Sequence, residues 1–308
     1  MNLSVAICTH NPRPEYLQRA LAALREQTLA MKDWELLLID NASAEPLAGR
    51  FDLTWHPNAR HVREEELGLT PARLRAIREA DAELLMFIDD DNVLAPDYLE
   101  TTLDIRARYP LVEVIGSGCI AGEFEVAPEK WMEPYLSSLA LREVDRDLWS
   151  NDPQHMRWYP CGAGMCMTAK VAHAYASLCA TDRRRQLLDR RGNSLVSGGD
   201  NDICYLAGSM GLGVGVFKAL RLTHLIPATR LSETYLLRIS EGIRLSDCLL
   251  IYIWRKQIPP RHTLRWYISL LRTNYRATPI QRRFVAAHVR AEKRAYKLIR
   301  ELELSPGT

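Results

Sequence analysis

The apolar run Leu84-Leu85-Met86-Phe87-Ile88 ends in Asp89-Asp90-Asp91, so a strand-length segment delivers three carboxylates to one spot. Five consecutive apolar residues predict a strand covered on both faces, which calls for a mainly parallel sheet with helices on either side. Three like charges at its end repel one another and are costly to desolvate, so without a counter-charge at least one is driven toward protonation. A divalent hard cation resolves that conflict, and oxygen ligands favour Mg2+ or Mn2+ over zinc. Alternation along an extended chain points Asp89 and Asp91 to one side and Asp90 to the other, which suits two residues sharing one site. The competing reading is an acidic helix start, with Asn92 to Tyr98 opening a helix and Pro96 near its first turn.

The same pattern occurs earlier in the chain. Leu3 to Ile7 predicts a strand followed by Thr9-His10-Asn11, and Pro12 and Pro14 then open a helix whose Leu17, Leu21 and Leu24 share one face. Trp34 to Ile39 is a nearly continuous apolar run ending in Asp40-Asn41, and a helix over Thr70 to Ala80 leads to the strand of the triplet. Strands alternating with helices give an α/β fold, in which ligands bind outside the carboxyl ends of the strands. Three polar tips therefore converge on one edge. Farther on, Val112 to Ile115 predicts a strand, Gly116 to Gly122 a turn region, and the arginines around Leu187-Leu188 an exposed segment. Trp131, Trp149 and Trp158 are expected to anchor loops on the core.

The net charge of +2 conceals an asymmetry, since residues 255–300 hold 13 Lys/Arg against the single acid Glu292. Leu249 to Trp254 is too short to span a bilayer. With the cations that follow (Arg255, Lys256, Arg261, Arg265, Arg272, Arg276) and Trp266 and Tyr267, it suggests peripheral contact of 249–300 with an anionic membrane face. The alternative is a basic helical pair packed on the body or in a homo-oligomer contact. No nucleic-acid-reading motif accompanies the basic tail, so nucleic acid is not an expected partner. Seven scattered cysteines without a CxxC pair, and an N-terminus that reads as a strand, predict a reduced, cytoplasmic setting.

Downstream lies Ser197-Gly198-Gly199-Asp200-Asn201-Asp202-Ile203-Cys204, then Leu222-Thr223-His224-Leu225-Ile226-Pro227. Paired glycines leave room for close approach, and a carboxylate at a helix start can take a proton from a hydroxyl. Together with Val5-Ala6-Ile7-Cys8-Thr9-His10-Asn11, Leu38-Ile39-Asp40-Asn41-Ala42-Ser43, Ala72-Arg73-Leu74-Arg75-Ala76, Phe87-Ile88-Asp89-Asp90-Asp91-Asn92 and Gly162-Ala163-Gly164-Met165, these segments resemble the family 2 glycosyltransferases. Members are inverting enzymes of the GT-A fold that use nucleotide-diphosphate sugars.

The resemblance implies a GT-A catalytic domain over 1–240, with a nucleotide-sugar part to about 110, followed by a basic helical extension over 241–308. It implies nucleotide contacts from Thr9, His10, Asn11, Asp40, Arg73, Asp89 and Asp90, and a Mn2+ or Mg2+ ion held by Asp91 with Asp89 and His224. It makes Asp200 the general base by register, with Asp202 the alternative, because Gly199 stands where the family carries Glu in its Glu-Asp-x-Asp element. The acceptor would be a saccharide or glycolipid hydroxyl at the inner face of the plasma membrane. A contact from Asp40 to a base N–H favours UDP or dTDP over GDP. Two other readings remain open: a nucleotide-sugar-binding or scaffold protein without turnover, and a Mg2+-dependent phosphotransferase.

Overall fold

A computed structural model describes residues 1–152, 158–192, 194–258, 263–264, 266–268 and 275–304. Arg261, Arg265 and Arg272, expected to add to the basic surface, lie outside the described residues.

Strands β1 (Leu3–Thr9), β2 (Trp34–Asn41), β3 (Ala59–Glu64) and β4 (Leu84–Ile88) alternate with helices α1 (Pro14–Arg25) and α2 (Leu69–Glu79). They pair in parallel in the order β3-β2-β1-β4, with Thr9 level with Asp40 and Ile7 level with Ile88. Alternate residues of one strand enter opposite cores. Leu36 and Leu38 join the cluster under α1, whereas Leu37 and Ile39 join the one under α2. The nearly continuous apolar runs thus reflect burial on both faces.

The sheet continues through β9 (Met165–Thr168), β6 (Val112–Phe124), β10 (Gly213–Ile226) and β5 (Asn92–Leu94), with β9 and β5 antiparallel to their neighbours. Helices α3 (Tyr98–Arg108), α4 (Ala169–Thr181) and α5 (Gly199–Ser209) and the short strands β7 (Arg142–Glu143) and β8 (Leu148–Ser150) complete the body. Gly116 to Gly122, expected to turn, instead lie inside β6. A Cβ at Gly118 would sit 2.7 Å from the Lys218 amide nitrogen, and one at Gly116 would sit 2.8 Å from Pro160 Cα. These glycines permit close backbone approach within a sheet. The acidic helix start after the triplet is also absent, because Asn92 enters β5 and α3 begins only at Tyr98.

Helix α6 (Glu233–Arg255) runs without interruption through residue 240, where the boundary between catalytic domain and extension was expected. It packs along α7 (Pro279–Leu304). Leu245, Leu249, Tyr252 and Ile253 recur at helical spacing and meet Ala291, Ala295 and Ile299, small enough at two positions for close approach. Arg244–Glu292 (2.5 Å), Arg283–Glu233 (2.5 Å) and Arg290–Glu241 (2.9 Å) flank this seam. The Leu249–Trp254 run expected to meet a membrane is therefore largely buried within the protein, which corrects that part of the expectation. Among the described residues no helix is long and apolar enough to cross a membrane.

Candidate active site

The tips of β1, β2 and β4 lie at the same edge, with Asp40 opposite Thr9 and Ile88 opposite Ile7, and the chain beyond each turns. After Ile88 the turn is closed by Asn92, whose Oδ1 accepts from the Asp89 amide at 3.1 Å. Strand β5 then pairs with β10 so that Asn92 stands opposite His224, and the Leu225 amide donates to the Asp91 carbonyl at 2.8 Å. This register brings a histidine distant in sequence beside the triplet.

A cavity of about 420 Å3 opens here, lined among others by Thr9, His10, Asn11, all three aspartates, Arg190, Asp200, His224 and Arg230. His10 Nδ1 meets the Asn41 carbonyl at 2.7 Å, and Asn11, at φ 49°, is pinned by its amide donating to Ser43 Oγ at 2.9 Å. Thr9 donates its hydroxyl to Asp90.

The three aspartates occupy different electrostatic positions. Burial pushes Asp90 up to about 7, reinforced by Asp91 and only partly opposed by the Thr9 hydroxyl. Burial and then the charge of Asp91 also raise Asp89, with Arg73 opposing. Burial works against the charge of Asp91 as well, but the hydrogen bond and charge of His224, with Arg230 and Arg190, hold it down at about 2. Asp91 is thus the triplet's anchored anion, while its neighbours resist ionisation for want of positive charge.

His224 Nε2 lies 3.3 Å from Asp91 Oδ2, and Arg230 Nη1 lies 2.9 Å from each of those atoms. As an imidazolium His224 donates from Nε2 to Asp91; in the neutral ring the Leu139 carbonyl, 2.9 Å from Nδ1, keeps the hydrogen there and leaves Nε2 a lone pair. One carboxylate and one imidazole so close together fit a hard divalent ion whose other ligands are water and phosphate oxygens. Among the described residues no three His, Cys, Asp or Glu side chains converge to hold an ion by themselves. Asp89, expected as a third ligand, is therefore not part of a preformed three-ligand group.

Across the cavity, α5 presents Asp200 near its N-terminus. Its Oδ2 accepts from the Gly162 amide at 2.8 Å, and its Oδ1 lies 2.6 Å from Arg73 Nη2. Asp202, the alternative base, points to different chemistry. It is fully buried and held by Arg185 and by Trp254 Nε1 at 2.7 Å, and it does not line the cavity. The assignment of Asp202 as a base is corrected: its carboxylate ties α5 to α6.

Two expected nucleotide contacts are also corrected. Asp40 is buried and accepts from the Ser43 and Leu47 amides at 3.1 and 3.0 Å and from Arg63 at 2.7 Å, so it caps its own loop and is not part of the cavity lining. Those bonds hold its carboxyl below the usual range against the opposing effect of burial. The preference for UDP or dTDP, which rested on Asp40, loses its support. Arg73 is likewise buried off the cavity, its guanidinium 5.3 Å from the Phe87 ring centroid and paired with Asp189 and Asp200.

Arg230 and Arg190 were missed by sequence reasoning. Pro227 begins a short 3-10 turn, Ala228–Leu231, that folds Arg230 back onto the end of β10, and Pro227 was the only cue. Arg190 belongs to the segment expected to be exposed, yet Arg185, Leu188 and Asp189 in that segment are buried. Of the tryptophans, Trp131 packs as an anchor, whereas Trp149 is exposed.

Residues 4–163 match the family model described as glycosyl transferase family 2. The chain is 30% identical over 117 residues to the uncharacterized protein y4gI of Sinorhizobium fredii, a match covering 37% of this chain and 13% of that protein. It is 29% identical over 157 residues to validoxylamine A glucosyltransferase of Streptomyces hygroscopicus subsp. jinggangensis, covering 49% of this chain and 37% of that enzyme. The chain thus spans well under half the length of these curated relatives. Among solved structures, the mannosyltransferase PcManGT from Pyrobaculum calidifontis in complex with GDP-Man and Mn2+ has a similar fold. The TM-score is 0.55 at 17% identity, over 100% of this chain and 76% of that one.

Proposed function

The chain belongs to glycosyl transferase family 2, and on that premise we propose that it moves a sugar from a nucleotide-diphosphate donor to a saccharide hydroxyl with inversion at the anomeric carbon. The observation that carries this reading is that one cavity holds, on one side, a carboxylate cluster short of positive charge and, on the other, a fixed and solvent-reachable carboxylate, Asp200.

An inverting transfer needs the acceptor hydroxyl to attack opposite the departing diphosphate. Asp200 takes the hydroxyl proton as attack proceeds. The Gly162 amide and Arg73 hold its two oxygens, so its orientation is set before substrate arrives. Thr9, His10 and Asn11 form the wall against which the nucleoside lies, while Arg190 and Arg230 supply positive charge toward the phosphates. Asp91 and His224 would hold a Mn2+ or Mg2+ ion, which when bound neutralises charge on the leaving diphosphate. The nucleotide half, to about residue 110, and the acceptor half beyond it meet at this cavity.

The test is calorimetric binding of UDP, dTDP and GDP, with and without Mn2+, to the wild type and to Asp91→Ala. Binding of one nucleotide that Mn2+ strengthens in the wild type but not in the variant supports the reading and identifies the base. No binding of any nucleotide by the wild type would sink it.

A further inference from the structure

We propose that Asp189 is the positioning residue for the base of the proposed transfer, and that position 199 is glycine in order to admit it. The inference rests on Asp200 being that base.

Gly199 opens α5 with a φ outside the left-handed region, so its backbone does not require glycine. The requirement is spatial. A Cβ built there would lie 2.7 Å from Asp189 Cγ and 2.8 Å from Asp189 Oδ1, so the carboxyl of Asp189 fills the volume a side chain at 199 would enter. That carboxyl arrives from the segment preceding α5 and is held on three sides. Its Oδ1 accepts from the Gly199 amide at 3.3 Å, and its Oδ2 accepts from Thr70 Oγ1 at 3.1 Å and from Arg73 Nη1 at 3.3 Å.

Arg73 is the link. Its guanidinium is 3% exposed and divides between two carboxylates, Nη1 toward Asp189 and Nη2 toward Asp200. A fork held at one nitrogen has its plane fixed, and the other nitrogen then fixes Asp200. Without Asp189, the buried cation keeps Asp200 as its one carboxylate among these two, and its plane is no longer fixed from the Nη1 side. The Glu that the family's Glu-Asp-x-Asp element carries at this position would start from the Cβ that Gly199 lacks. Here a carboxylate comes from ten residues upstream, and its Cγ lies 2.7 Å from where that Cβ would stand. Asp189 does not line the cavity and reaches Asp200 through Arg73 and through the Gly199 amide beside it.

A reciprocal exchange tests this. Wild type, Asp189→Ala, Asp189→Asn, Gly199→Glu and the double variant Asp189→Ala/Gly199→Glu are compared by thermal melting and by calorimetric binding of UDP, dTDP and GDP. Nucleoside diphosphate release from UDP-glucose, dTDP-glucose and GDP-mannose supplies the catalytic readout. Each single variant is expected to lower kcat about 10–100-fold with nucleotide affinity retained, because the base is misplaced and not removed. The double variant is expected to recover most of that loss, since a carboxylate starting at 199 enters the vacated volume. Asp189→Asn keeps the shape and carries the test if the alanine variant does not fold. The proposal is overturned if a folded, nucleotide-binding Asp189→Asn protein turns over like the wild type, or if the double variant is no better than either single. A wild type that neither binds nor releases nucleotide overturns the transferase reading first, a result distinct from both.

Discussion

The cavity and the α6–α7 seam are both rich in charge, yet they handle it in opposite ways. Along the seam, arginines meet acids one to one: Arg244 with Glu292, Arg283 with Glu233 and Arg290 with Glu241. In the cavity, Asp90 is pushed up to about 7 and Asp89 is raised, because burial and mutual repulsion outweigh the cations within reach. Paired charge of the first kind is structure, and its exposed members add little stability. Unbalanced buried charge of the second kind is costly, and it is relieved when something positive binds. In the cavity the contrast singles out Asp89 and Asp90 as the acids short of a partner charge, a distinction that acidity alone does not make.

Asp200 and Asp202 sit on one helix, each paired with an arginine, yet one lines the cavity and the other is fully buried, and breaking their contacts gives the largest expected effects. Asp200→Asn is expected to lower turnover by about two to four orders of magnitude while nucleotide affinity stays near that of the wild type, since general-base help is worth about that much. A comparable loss of nucleotide binding would move Asp200 out of the chemistry and into donor recognition. Arg185→Met should do the reverse. It strands the fully buried Asp202 with Trp254 as its remaining hydrogen-bond donor, so unfolding free energy is expected to fall by about 3–5 kcal/mol in urea melts. A loss below about 1 kcal/mol would mean that the Arg185–Asp202 pair does not hold α5 against the 3-10 turn Arg183–Leu188.

The strands and the three polar tips were legible because their signals are local. A run such as Trp34–Ile39 can be buried on both faces only in a covered sheet, and its polar end must then reach an edge. His224 was legible only through the resemblance, since its place beside Asp91 depends on the β5–β10 register. What sequence could not show was direction. Asp40, Asp200 and Asp202 are the same residue type at comparable element boundaries, yet one caps a loop, one faces the cavity and one is locked to Arg185 and Trp254. That outcome is fixed largely by partners 23 to 52 residues away, which no local pattern records. The glycines of β6 misled for the related reason that close approach and turning use the same residue.

Asp247 is the place where the seam departs from its own rule, and it gives the smallest of these effects. Burial pushes its carboxyl up to about 6, and Arg244, which eases the shift, is committed to Glu292 at 2.5 Å. A folded value above the unfolded one, near 3.9, means that between about pH 4 and 6 the folded protein binds more protons than the unfolded chain. Stability contributed by this group is therefore highest below that window, falls as pH rises through it and stays lower at pH 7. Asparagine resembles the protonated acid and removes the loss, so Asp247→Asn is expected to add about 1–2 kcal/mol at pH 7 and nothing at pH 4. Urea melts at the two pH values check it. An equal gain at both would assign the effect to packing and not to charge. A loss at pH 7 would mean that Asp247 is a paired anion after all, leaving the seam balanced here too and the contrast with the cavity sharper.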